Sequence, residues 1–478
     1  MSDEATAETI TETATDTTTD AGRVTALIAG HPWVADARPA PGGVLLVTPH
    51  PSATAVLPVP GPLVREHLAH WAEVYEWVYE TGEGRHADDL DLSGWRSSDT
   101  GKPLPAAHMR DWADRTVDLV LSQRPRRLLE LGCGTGLLAH RLHTRLDGYV
   151  GTDVAEVAVD RLHAAALPRT AFVRAAAHEA QAPVVREATD RVFGPGVRPD
   201  CVLLNSVTQC FPNLVYLTAF LHHALAAVED GGTVIVGDIR HSGLLEDHFA
   251  RLERARDPEA ADADIAARVA SAVAGDGELS FAPEAVREIL AGQPRTVRMS
   301  VHARTMADDT ELTRYRYDLV LHVGPASGRP DSSEVRRLPW QGPGGEGAEG
   351  LRTVLRTALA SGPVVLHGIP NALLAEAPDA ADAVTPHDLR QALTGMDAAV
   401  LLDHGDPRML AVCAPADRAT AASHGPVRAP VGRLAHEPLP AFVRRRLPEV
   451  LRDHVRRTAP GTVPPRIVVD DISAEATR

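Results

Sequence analysis

The chain has 478 residues, enough at roughly 150 per domain for two or three domains and a large buried core. Its 64 acidic residues against 48 basic ones give a net charge of −16, the wrong sign for gripping a phosphate backbone, so nucleic acid is not an expected partner. The four cysteines, Cys133, Cys201, Cys210 and Cys413, have no CxxC spacing, and no signal-like or membrane-length apolar run is present; the expected setting is the cytoplasm, with no membrane and no metal site.

Residues 1–22 hold eight threonines, six carboxylates and no base, a composition that cannot bury enough apolar surface to offset ordering entropy, and they read as a disordered acidic tail. Two strand-like runs, Val34–Arg38 and Gly43–Val47, flank the turn residues Pro39, Pro41 and Gly42. Apolar residues at helical spacing predict helices over Leu63–Tyr79 and Ala106–Leu121, separated by a polar loop at Gly94–Pro103. Strands and helices then alternate: strand Arg127–Leu131, helix to Leu146, strands Tyr149–Asp153, Ala171–Ala175 and Cys201–Asn205, helix Leu214–Val228 and strand Thr233–Asp238. That order implies a parallel sheet covered by helices. Helical sequence over Leu244–Val273 and Pro283–Ala291 precedes strands Thr296–Ala303 and Tyr315–Val323, close enough in sequence to pair antiparallel. Gly342–Gly350 reads as a linker to a smaller mixed segment, and no internal repeat is found.

The strongest chemical signal is Leu128-Leu-Glu-Leu-Gly-Cys-Gly-Thr-Gly136, an apolar strand ending in Gly132, Gly134 and Gly136 and running into a helix. Glycines there let backbone approach a ligand and aim amide N–H groups from a helix start. The third glycine comes one residue too early for a dinucleotide fingerprint, which disfavours NAD and FAD. Glu130 lies within the strand, and Asp153 ends the next strand 17 residues past Gly136, where a carboxylate can accept both ribose hydroxyls of an adenosine.

This arrangement resembles the class I S-adenosylmethionine-dependent methyltransferases. The resemblance implies that Glu130, Gly132, Gly134, Gly136 and Asp153, with Cys133 and Val154 beside them, bind S-adenosylmethionine, and that Glu179, just past the third strand, meets the adenine amino group. Gly94-Trp-Arg-Ser-Ser-Asp-Thr-Gly-Lys-Pro-Leu-Pro105, Asn205-Ser-Val-Thr-Gln-Cys-Phe-Pro212, Gly237-Asp-Ile-Arg240 and Glu311-Leu-Thr-Arg-Tyr-Arg-Tyr-Asp318 are similar to methyltransferase domains embedded in adenylation domains of nonribosomal peptide synthetases. His367-Gly-Ile-Pro-Asn371 fits the extension of those domains. Ile28–Ala37 and Leu434-Ala-His-Glu-Pro438 through Pro464 resemble the two halves of the small C-terminal adenylation subdomain. The large nucleotide-binding subdomain has no counterpart, and Asp471–Arg478 stands where that family places its catalytic lysine; Lys102 is the only lysine, so adenylation is not expected.

The resemblance implies an α/β fold: a Rossmann-like class I methyltransferase sheet, parallel with an antiparallel final hairpin, plus a small α+β subdomain from the flanks. The expected division is a tail over 1–22, a first subdomain half over 23–60, the methyltransferase core over 61–325, a linker and extension over 326–432 and a second subdomain half over 433–478. Asn205 and Asp238 end the fourth and fifth strands, at the edge over which ligands of open α/β sheets lie. With Gln209, Arg240 and Tyr317 they form the expected catalytic and substrate-facing set, Asp238 as the candidate base; Arg314 and Tyr315 stand beside it. Ser97, Ser98 and Thr100 are expected to close over the cofactor, with Asn205 also at its edge. The expected reaction is N-methylation of an amino acid, carried as an aminoacyl thioester on a carrier protein. Methylation of nitrogen or oxygen on a free amino acid or metabolite is one alternative, and a noncatalytic synthetase-docking auxiliary is another. Arg444, Arg445, Arg446, Arg452, Arg456 and Arg457 are the candidate cationic face toward a carrier.

Overall fold

The computed structural model describes residues 22–57, 59–82, 90–324, 335–343, 347–360, 362–375, 381–403, 405–422 and 433–470. The acidic tail, Gly22 apart, and Asp471–Arg478 lie outside the described residues. The chain divides into two compact units, one of Met1–Trp71, Gly275–Gly277 and Glu437–Arg478, the other of Ala72–Ala274 and Glu278–His436.

The larger unit is built on strands β1 (Arg127–Leu131), β2 (Gly148–Asp153), β3 (Thr170–Arg174), β4 (Cys201–Asn205), β5 (Thr233–Arg240), β6 (Val297–Ala303), β7 (Arg316–Val323), β8 (Arg336–Pro339), β9 (Val364–Pro370), β10 (Ala399–Leu402) and β11 (Met409–Ala414). They form one sheet in the order β8-β9-β11-β10-β6-β7-β5-β4-β1-β2-β3. Strands β1 to β5 pair parallel, and β7 lies antiparallel to both β5 and β6, as expected of the final hairpin. The central strands are near-continuous apolar runs because helices bury both faces: Leu128, Val150, Val202, Leu203, Val234 and Val320 are all fully buried. The described part of 326–432 adds β8 to β11 to this same sheet, and the expected linker already begins a helix, Gly347–Leu359, on whose inner face Leu351 and Leu355 are buried.

Most element boundaries fall within two residues of expectation. The stretch read as one helical run over Leu244–Val273 is two helices, Leu245–Arg256 and Asp262–Gly275. Pro258 explains the break: it has no N–H for the helix ladder and keeps Asp257 out of the helical region (φ −144°, ψ 82°). The helix after the glycine loop is only Ala139–Leu142 plus a tight turn to Arg145. Helix Pro183–Phe193 was not anticipated; its apolar face is reduced to Val185, Ala188 and half-buried neighbours.

In the smaller unit the hairpin Val34–Ala40/Val44–Pro49 is completed by Arg466–Val469, which pairs parallel to the second hairpin strand. The two ends of the sequence thus share one three-stranded sheet. Its core joins Ile28, Leu45, Val47 and Leu63 with Val443, Leu447, Leu451 and Val455 from helix Leu439–Thr458.

Candidate active site

The glycine loop leaves β1 and turns back beneath β2, where the amides of Gly132 and Cys133 both donate to the Thr152 carbonyl (2.7 and 2.8 Å). Gly134 and Gly136 lie in the left-handed region, at φ +49° and +88°. A Cβ on Gly134 would stand 2.9 Å from the Tyr79 hydroxyl, and one on Gly136 would stand 2.4 Å from Leu162 Cδ2. The loop therefore needs glycine both for its backbone conformation and for its clearance.

Asp153, at the end of β2, is buried and holds this loop directly. One carboxylate oxygen accepts the Gly134 N–H at 2.8 Å and the other the Ala155 N–H at 2.9 Å. Burial pushes its carboxyl above the usual range, opposed by those backbone hydrogen bonds. Glu130 is buried inside β1 and takes a hydrogen bond from the Tyr149 hydroxyl; burial, with Asp153 nearby, pushes it up to about 8. The Cys133 thiol is buried and pushed well above its ordinary range, so it stays protonated and is no nucleophile.

Helix Pro62–Thr81 brings residues that sequence reasoning did not single out. Tyr79 lies over Gly134, with Tyr75 one turn earlier and their rings 5.7 Å apart. Glu76 accepts the N–H groups of Glu156 (2.7 Å) and Val157 (3.2 Å), capping the helix that follows Asp153. The i, i+4 spacing of Tyr75 and Tyr79 was visible, but nothing in it said which loop they would cover.

Asn205 and Asp238 come together as expected at the carboxyl ends of β4 and β5. The β5–β7 ladder slips between Tyr317 and Leu319, so Gly237 and Asp238 oppose the single residue Asp318. This bulge sets Asp238 at φ +58°, with Ser206 across from it at φ +60°, and redirects the Asp238 carboxylate. Asp238 is fully buried, accepts from the Ser206 hydroxyl and pairs with Arg316 Nη1 at 2.8 Å; its own N–H donates to Asp318 Oδ1 at 2.8 Å. Asp318 in turn pairs with Arg304 Nη1 (2.9 and 3.1 Å). Burial pushes Asp238 up, but Arg316, Arg304 and the Ser206 hydroxyl outweigh it and hold the carboxyl below the usual range. It is thus a fixed anion with weak affinity for a proton.

The other expected residues divide. Gln209 donates from Nε2 to the carbonyl of Ser206, the neighbour of Asn205, at 2.7 Å. The buried Asn205 Oδ1, Thr208 Oγ1 and Gln209 Oε1 have no hydrogen-bond partner. Arg240 is tied to Glu278 at 2.9 Å. Tyr317 lies on the opposite face of β7 from Arg316 and Asp318, and its hydroxyl donates to the Phe281 carbonyl at 3.0 Å, a core position away from Asp238. Arg314 is held by Asp309 and Tyr315 is buried. Glu179 is exposed and caps its own turn by accepting the Ala176 N–H at 2.8 Å, while the Val154 carbonyl accepts from Arg174. In the loop Gly94–Pro103 the Ser98 N–H donates to Glu311 at 3.2 Å, Ser97 bonds Asp99, Thr100 accepts from the Lys102 N–H, and Trp95 packs on Trp112 with ring centres 4.5 Å apart. No group of His, Cys, Asp and Glu suited to a metal occurs among the described residues. None of the helices among them is long and apolar enough to cross a membrane.

The arrangement fits the adenosyl amino acid implied by the resemblance: a glycine crossover braced by Asp153, a buried carboxylate at the end of β2 and unmatched polar atoms at the end of β4. Sheet order and the glycine crossover together give the class I methyltransferase fold that the resemblance implies. Residues 106–268 match the family model described as Methyltransferase domain. Over 262 residues, 55% of this chain, it is 37% identical to the nonribosomal peptide synthetase CymA of Salinispora arenicola (strain CNS-205). It is 32% identical over 314 residues, 65% of this chain, to chondramide synthase cmdD of Chondromyces crocatus. The chain spans 3% and 8% of the lengths of these two relatives. A solved magnesium protoporphyrin IX methyltransferase (ChlM) from Synechocystis PCC 6803 with bound SAH is similar over 54% of this chain and all of its own, at 12% identity and a TM-score of 0.34. A methyltransferase-domain match thus lies within a stretch that is similar to segments of nonribosomal peptide synthetases.

Proposed function

We propose that the protein methylates the α-amino nitrogen of an aminoacyl group held as a thioester on a carrier protein. The relation to nonribosomal peptide synthetases supports the substrate class. The observation that carries the choice of nitrogen is the set of unmatched acceptors at Asn205, Thr208 and Gln209. A buried acceptor without a donor is costly, and an amine brings more N–H groups to such a set than a hydroxyl does.

The bound cofactor supplies an electrophilic methyl on a sulfonium. In this reading Asp153 and the glycine loop fix its position, Glu130 stands behind the loop, and the Ser97–Thr100 loop excludes water. Asn205 and Gln209 orient the amine, which must arrive neutral to act as a nucleophile. Asp238 stays ionised but, matched to Arg316, serves to hold Ser206 and the end of β4 in place. Alignment of this kind supplies about 7–11 kcal/mol in well-oriented reactions without any covalent step.

For the carrier, Arg444, Arg445, Arg456 and Arg457 are exposed on helix Leu439–Thr458, and we assign Arg444 and Arg445 to the docking face. Arg446 is pinned by Glu66 at 2.6 Å and is not part of that face. Intact-mass measurement of a loaded carrier tests the reading: gain of one methyl, slowed by salt and by Arg444→Glu with Arg445→Glu, is expected. Efficient turnover of the free amino acid without any gain on the carrier would overturn it.

A further inference from the structure

A narrow cleft is lined by Arg316, the ion-pair partner of Asp238. Its walls include His241, Arg304, Arg314 and Arg316 from the core, and Asn371 and Leu402 from the segment that prolongs the sheet. Asn371 is buried and rigidly placed: its Oδ1 accepts the Leu373 N–H at 3.1 Å, and its own N–H donates to the Arg408 carbonyl at 2.9 Å. The motif His367–Asn371 is thereby brought to the same cleft as β7.

Three guanidinium groups in one cleft suggest an anion site, but their charges are already matched. Arg304 pairs with Asp318 at 2.9 Å, Arg314 with Asp309 at 2.9 Å and Arg316 with Asp238 at 2.8 Å. A ligand carboxylate would enter as an uncompensated buried charge, which is strongly unfavourable. Hydrogen-bond donors, by contrast, remain unmatched. Arg304 is buried, Trp112 covers one face of its guanidinium at 5.7 Å, and its Nε and Nη2 have no acceptor. Buried donors without acceptors are rare and costly in folded proteins. A charge-balanced, donor-rich cleft is therefore complementary to a neutral carbonyl oxygen.

Resting on the reading above, we propose that this cleft seats the acyl carbonyl of the aminoacyl substrate and that Arg304, with Asn371 opposite, selects a thioester, ester or amide over a free carboxylate. In an aminoacyl group the amine and the acyl carbonyl flank one carbon, so the carbonyl site must adjoin the amine site. The two are linked by contact: Arg316 of the cleft bonds Asp238, and Asp238 accepts from Ser206, the neighbour of Asn205.

The test is calorimetry of the full chain saturated with S-adenosylhomocysteine, titrated with alaninamide, valinamide and phenylalaninamide and with the corresponding free amino acids. At least one amide is expected to bind about tenfold or more tightly than its amino acid, the discrimination of one hydrogen bond in a charge-matched site. Arg304→Lys keeps the charge toward Asp318 but loses Nε and Nη2, and is expected to erase that preference while S-adenosylhomocysteine affinity is kept. Asn371→Asp keeps the acceptor for Leu373 but replaces the side-chain N–H donors with an anionic oxygen; it is expected to weaken amide binding about tenfold and serves if Arg304→Lys does not fold. Equal or tighter binding of the free amino acids, or amide binding unchanged in either folded variant, overturns the proposal. The two failures are distinguishable: if both variants methylate a loaded carrier with parental kcat/KM, only the cleft assignment falls, whereas no methyl transfer to any aminoacyl compound by the parent removes the function and the cleft together.

Discussion

Replacing Glu130 by glutamine isolates the electrostatics of the cofactor loop with almost no change of shape. Burial, with Asp153 beside it, raises the Glu130 carboxyl from an ordinary 4.5 to about 8. Between those values the folded protein holds a proton that the unfolded chain has released. The stabilisation from that proton is complete below 4.5 and is lost as pH rises through 8. A gap of about 3.5 pH units at about 1.4 kcal/mol each comes to roughly 5 kcal/mol of stability lost over this range. Glutamine carries no such proton and still offers an oxygen to the Tyr149 hydroxyl. Urea unfolding of parent and Glu130→Gln should therefore give similar midpoints at pH 5 and a variant several kcal/mol more stable at pH 8.5. Parallel pH dependence of the two proteins would refute the assignment of a protonated carboxyl to this position.

Asp153→Ala removes the acceptor of the Gly134 and Ala155 amides and the carboxylate that the proposed function assigns to the ribose; a charge-assisted pair of about 1.5–3 kcal/mol predicts S-adenosylmethionine affinity lower by roughly 10- to 150-fold, read by calorimetry. Gly134→Ala forces a side chain into the left-handed region against Tyr79, and should cost about 1–3 kcal/mol in thermal unfolding together with most cofactor binding. Arg316→Met leaves the buried Asp238 without its cation and is expected to destabilise by about 3–5 kcal/mol, a loss that the double change with Asp238→Asn should partly restore. Arg446→Ala breaks an ion pair that is 39% exposed on the arginine side, so less than about 1 kcal/mol of stability should change, and unaltered carrier methylation would separate it from Arg444 and Arg445.

Much of the sheet and of the cofactor loop was legible in the sequence because their requirements are local. Uninterrupted apolar runs such as Cys201–Asn205 signal strands buried on both faces, and three alternate glycines followed by an acid after the next strand specify a backbone path that other residues cannot follow. The same locality gave Asn205, Asp153 and Gln209 their places at one edge. What a residue does once it is there depended on partners distant in the chain. Asp238 looked like a base from its position at a strand end; a bulge opposite Asp318, 80 residues away, joins it to a buried network and makes it an anion already matched by Arg316. Tyr317 carried a motif residue's promise, but strand alternation turns it to the face opposite Arg316. Nothing in the sequence singles out Arg304; burial against Trp112 and Asp318 gives it unmatched donors in a cleft. Arg446 belonged to a run of cations until Glu66, 380 residues earlier, was found to hold it. The sequence by itself determined where the backbone must turn and which faces must be buried; the charge state and the availability of each polar side chain were decided by tertiary structure, because both depend on desolvation and on partners that folding brings together.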